Sequence, residues 1–137
     1  MNQALKLVQT IHAAMLCSIA LEAVIGEIAG PGPRSIHPAL SCALATMSVA
    51  VVGTVFVVRK TLALPSELAL AQKSGDAVAQ QQWKTSYLAT YVLCESLGIF
   101  GVMLRFLGAS FVQSLPFYLS GFVMLFFFAP RDPSANS

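Results

Sequence analysis

The chain has 137 residues, of which 56% are hydrophobic and only 10% charged, at a mean hydropathy of +0.73, whereas soluble domains carry about 25% charged residues. This excludes water as the solvent for most of its surface. The net charge of +2 is scattered at segment ends, without the basic stripe that neutralises phosphates, which excludes nucleic acid as a partner. The expectation is a single all-α membrane domain over 1–137 with four transmembrane helices, because about 20 apolar residues cross roughly 30 Å of hydrocarbon.

In chain order, the first span runs over about 5–29 and stops at Gly30-Pro31-Gly32-Pro33, where two prolines remove helical donors. The run carries Glu22 and Glu27 and lacks an A-x-A cleavage site, so it is expected to be an uncleaved helix. His37-Pro38 starts the second span, 39–58, and Arg59-Lys60 closes it at a headgroup. The connection 61–84 is polar but helical: Pro65-Ser66-Glu67 opens a turn, Gly75 ends the segment and Asp76 caps the next helix. That helix runs on into the third span, 85–107, with Trp83 and Tyr87 at the interface where amphipathic rings sit. After the turn Gly108-Ala109-Ser110, the fourth span covers 115–129, started by Pro116 and stopped by Pro130; the tail 131–137 is expected to be disordered.

Four spans put both termini and 61–84 on one side, which collects Lys6, Arg59, Lys60, Lys73, Lys84 and Arg131, against Arg34 and Arg105 opposite. The positive-inside rule makes that side cytoplasmic. The chain is therefore expected to be a multi-pass protein of a bacterial inner membrane with cytoplasmic termini.

Ionisable groups at membrane depth cost roughly 2.5–3.5 kcal/mol each on insertion, so each calls for a partner or a function. Glu95 lies ten residues beyond Thr85, about 15 Å deep and near the bilayer centre. No basic residue shares its depth. Desolvation without a cation favours the acid form, which makes Glu95 the ion-binding candidate. Glu22 and Glu27 count to the same outer depth as Arg105; the pairing expected is Glu22 with Arg105, with Glu27 near Arg34 at the interface. His12, about a turn and a half inside the cytoplasmic face, is a packed side chain or a relay toward Glu95.

Small residues at helix-contact spacing, Ser41 with Ala45, Thr46 with Ala50, and Cys94 with Gly98 and Gly101, are expected to line helix seams. Cys17, Cys42 and Cys94 show no metal-ligand spacing, and an odd count cannot complete a set of internal disulfides, so they are packing residues and neither metal nor cofactor is expected. There is no phosphate loop, nucleophile elbow or catalytic carboxylate pair, and hence no enzymatic expectation.

The run Cys94-Glu95-Ser96-Leu97-Gly98-Ile99-Phe100-Gly101-Val102 resembles the carboxylate-bearing helix of rotary ATPase proteolipid subunits, in which a mid-membrane acid carries the translocated proton or sodium ion. The resemblance implies that role for Glu95. The segment Leu21-Glu22-Ala23-Val24-Ile25-Gly26 resembles the first-helix motif of small multidrug resistance transporters, although there the Glu directly precedes Val-Ile-Gly and here Ala23 intervenes. Together these readings give a subunit or accessory of a membrane assembly handling a proton or monovalent cation through Glu95. The alternatives are a dimeric four-span drug transporter and a structural scaffold. Its expected partners are the bilayer, other membrane subunits or a second copy.

Overall fold

A computed structural model describes residues 2–131 apart from residue 74; the expected tail, except Arg131, lies outside the described residues. Every regular element among them is helical: α1 (Asn2–Ala29), α2 (Pro38–Val58), a π-helical turn (Arg59–Ala63), α3 (Leu64–Gln72), α4 (Ala77–Phe106) and α5 (Phe111–Phe127). Three helical stretches, Gln3–Ala29, Pro38–Gln72 and Ala77–Phe106, are long and apolar enough to cross a membrane, whereas Phe111–Phe127 is shorter. At 1.5 Å per residue, its 17 residues span about 25 Å.

The connection after α2 is a direct continuation of that helix. Pro65 cannot donate, and its ring crowds the carbonyl four residues earlier. The helix responds by widening: Leu64 N–H bonds to Arg59 O, five residues back, through a π turn that absorbs the proline without a break. Helices α2 and α3 thus form one stretch of 35 residues, about 52 Å long. Asp76 caps the return, accepting from Val78 N at 2.9 Å and Ala79 N at 3.2 Å, which satisfies two donors the first turn leaves open.

Helix α5 begins at Phe111, four residues before the expected Leu115, because Ser110 and Gln113 form a capping box. Pro116 therefore sits inside the helix.

Helix α4 is the hub against which every other helix packs. Its buried face carries Trp83, Tyr87 and Tyr91, all at most 1% exposed, with successive ring centroids 5.0 and 5.9 Å apart. Trp83 and Tyr87 are therefore covered by protein rather than turned toward lipid, because α3 extends over them: Ala63, Ser66 and Leu70 are buried opposite. Polar residues such as Ser86, Thr90, Ser114 and Arg105 are inside, whereas Ile28, Val49, Phe126 and Phe127 are more than 70% exposed. Such a polarity is unfavourable in water and matches hydrocarbon surroundings.

Small residues of α4 lie where its neighbours come close. Cys94 is fully buried. A methyl on Gly101 would lie 2.7 Å from the Tyr118 ring, and one on Gly121 would lie 2.8 Å from the Cys94 carbonyl oxygen. The second stripe is corrected. Ser41 and Ala45 are exposed on α2, as are Thr46 and Ala50, and the Ser41 hydroxyl donates back to Pro38 O at 2.9 Å. Close approach happens on the α4–α5 side, where glycines admit a backbone and a tyrosine ring. Gly121→Ala is accordingly expected to destabilise the fold by about 1–3 kcal/mol, as overpacking against rigid backbone does, measured by denaturant unfolding in detergent micelles.

Candidate functional site

Ser18, Glu22 and Gly26 recur every four residues on α1, which places them in line on one face of the helix. That face meets α4. The Ser18 hydroxyl donates to Glu95 Oε1 at 2.6 Å. A methyl on Gly98, three residues after Glu95, would strike the Glu22 carboxyl. Glu22 and Glu95 are both half-buried. Acidic side chains from α1 and α4 thus meet at one seam, where Ser18 donates to Glu95 and Glu22 Oε2 is left buried without a hydrogen-bond partner among the described residues.

The cation expected for Glu22 is engaged elsewhere. Arg105 Nε donates to Glu27 Oε1 at 2.6 Å and Nη2 to Glu27 Oε2 at 3.4 Å, while Nη1 donates to the Ala109 carbonyl. The expected Glu22–Arg105 pair is therefore corrected to Glu27–Arg105. The aliphatic stem of Arg105 runs past Gly26 and Gly30, where added methyls would lie 3.5 Å from its Cγ and 3.6 Å from its Cβ, and its guanidinium ends at Glu27. Arg34 does not take Glu27; its N–H donates to Gly108 O at 2.8 Å. That contact ties the 30–37 loop to the turn after α4, where Gly108 has φ of +100°.

Two further groups extend the polar seam. The Tyr118 hydroxyl is buried without a hydrogen-bond partner among the described residues, and a methyl on Gly26 would lie 2.6 Å from it. Toward the other end, the His12 ring lies 5.2 Å from the Tyr91 ring, with Nδ1 buried and unpartnered among the described residues. His12 thus stands beside Tyr91, the residue one turn before Glu95.

No family model, curated protein or solved structure matches this chain. Chemistry must therefore be argued from the seam itself. Among the described residues, no group of three His, Cys, Asp or Glu side chains converges as a metal site, and Cys17, Cys42 and Cys94 are all free thiols. Sequence reasoning found Glu95 by depth but missed Ser18 and assigned Glu22 to the wrong partner. The four-residue spacing of Ser18, Glu22 and Gly26 was the available signal.

Gly98→Ala and Gly121→Ala make a useful contrast. The Gly98 methyl meets the mobile end of a carboxyl side chain, which can swing away, whereas the Gly121 methyl meets backbone. Gly98→Ala is expected to cost less stability in the same unfolding measurement while displacing Glu22 from Glu95.

Proposed function

We propose that this chain is a four-span inner-membrane protein, a subunit or accessory of a membrane assembly, whose Glu22–Ser18–Glu95 cluster holds one proton or one monovalent cation. The observation that carries this reading is that the Glu22 carboxyl lies against Gly98, three residues after a Glu95 held by Ser18, while Arg105 is committed to Glu27. Two like charges at that depth repel each other and are poorly solvated, so the pair is stabilised by binding one positive charge. A proton between the oxygens meets that need. So does an alkali cation coordinated by both carboxyls and the serine oxygen, since hard cations prefer oxygen ligands.

The polar seam supports passage as well as binding. His12 and Tyr91 lie on one side of the cluster, and Tyr118, Glu27 and Arg105 on the other. In this reading α5 crosses as the fourth span, the termini and the α3 extension are cytoplasmic, and the basic residues Lys6, Arg59, Lys60, Lys73, Lys84 and Arg131 set that orientation. The resemblance of the Glu95 segment to proteolipid carboxylate helices points to the same ion chemistry. A drug-transport reading would need Glu22 or Glu95 to face a water-filled cavity rather than a helix seam.

Carbodiimide labelling tests the proposal. The reagent adds to a protonated carboxyl in an apolar setting, so the protein in lipid is expected to gain one adduct on Glu95 or Glu22 by mass spectrometry. High pH or a bound cation should suppress it. Absence of an adduct, or an adduct that persists unchanged when both Glu22 and Glu95 are replaced by Gln, sinks the ion reading.

A further inference from the structure

Where α2 passes into α3, the chain builds a second polar site, unrelated to the carboxyl cluster. A cavity of about 490 Å³ opens between α3, the start of α4 and the end of α5, with Arg59, Arg131, Glu67 and Tyr87 among its walls. The π turn sets the direction of Arg59, its first residue. Its guanidinium carbon stands 4.8 Å from the Tyr87 ring centroid and 4.9 Å from that of Phe128, so two aromatic faces fix the cation in place. Nη2 reaches Glu67 Oε1 at 3.5 Å, and Glu67 Oε1 also accepts from the Tyr87 hydroxyl at 3.0 Å. Nη1 is buried and has no hydrogen-bond partner among the described residues. A buried guanidinium nitrogen left unpartnered is costly. It is also an oriented donor.

The charges in this cavity do not balance. Arg59 and Arg131 bring two positive charges and Glu67 one negative, which leaves room for one monoanion. The rim is apolar: Leu64 is 56% exposed, Leu68 61% and Phe127 76%. A free inorganic anion has no use for such a rim, whereas a molecule with an anionic head and hydrocarbon tails matches both parts. We propose that the cavity holds the phosphodiester of an anionic phospholipid of the cytoplasmic leaflet, with Arg59 Nη1 and Arg131 as donors and the acyl chains lying past Phe127. Basic pockets between helices at the cytoplasmic face suit anionic headgroups, and guanidinium geometry suits phosphate. The inference goes beyond the carboxyl-cluster reading and shares with it only the membrane placement.

The test is native mass spectrometry of the full-length protein in mild detergent, titrated with phosphatidylglycerol, phosphatidylcholine or inorganic phosphate. Phosphatidylglycerol is expected to bind more tightly than phosphatidylcholine. Arg131→Gln should weaken it by about fivefold, the scale of one basic residue near a membrane surface, and should weaken phosphatidylcholine binding less, because the choline cation offsets the phosphodiester charge. Arg59→Gln should weaken it too, but Arg59 also packs two rings, so Arg131→Gln and Glu67→Gln keep the question decidable if that variant fails to fold. Glu67→Gln releases Arg59 from its internal counter-ion and should strengthen phosphatidylglycerol binding, which a merely structural role would not do. Equal binding of the two lipids, indifference to Arg131→Gln, or displacement of phosphatidylglycerol by comparable concentrations of inorganic phosphate would overturn the proposal.

Discussion

Glu27→Ala is expected to destabilise the protein by about 3 kcal/mol, the lower end of what removal of one partner of a buried ion pair costs. The cost arises from what is left behind. The Arg105 side chain is only 7% exposed, whereas the Glu27 side chain is 40% exposed. Deleting the acid strands a buried guanidinium that keeps the Ala109 carbonyl as an acceptor. Deleting the base strands a carboxylate that is already partly open. Arg105→Met, which keeps the apolar stem over Gly26 and Gly30, should therefore cost less than Glu27→Ala. Glu22→Gln should cost less than either, because Glu22 is not the partner of Arg105. Denaturant unfolding in micelles ranks the three. A Glu22→Gln penalty equal to that of Glu27→Ala would contradict the pairing.

The second large effect concerns coupling across the seam. If Glu22 and Glu95 share one positive charge, ion binding belongs to the pair. Either Glu22→Gln or Glu95→Gln should then shift the proton or sodium concentration that half-protects the remaining carboxyl from carbodiimide by about tenfold or more. Ser18→Ala should shift it less, since it removes one hydroxyl donor and leaves both acids. Labelling rates followed across pH and sodium concentration give the comparison. Single variants that leave each other's protection curves unchanged would show two independent acids.

How much of this was legible in the sequence depended on which physical signal each feature carried. Helix existence followed from apolar length, and the Asp76 cap from residue type, so α1, α2 and α4 lie close to their expected ranges. The start of α5 was also written in the chain, as Ser110 with Gln113 three residues on, but Pro116 drew attention to the wrong place. Pro65-Ser66-Glu67 read as the opening turn of a helical connection. Only the structure shows that one π turn lets the helix continue and aims Arg59 between two rings. The exposed Ser41–Ala45 stripe illustrates another limit. A helix face turned to lipid and one turned to a neighbour are both apolar, so small-residue spacing alone does not separate them. Depth counting placed Glu22, Glu27 and Arg105 together, and it could not choose between the two acids. The structure shows the guanidinium on Glu27.

The central claim is that Glu22 and Glu95 act as one site, and infrared difference spectroscopy of the protein in liposomes addresses it most directly. Titrated with acid or sodium, the spectra are expected to show one embedded carboxyl changing state, with the signal removed by Glu95→Gln and altered by Glu22→Gln. A spectrum untouched by both substitutions, or two carboxyl signals that each survive intact when the other residue is replaced, would contradict it.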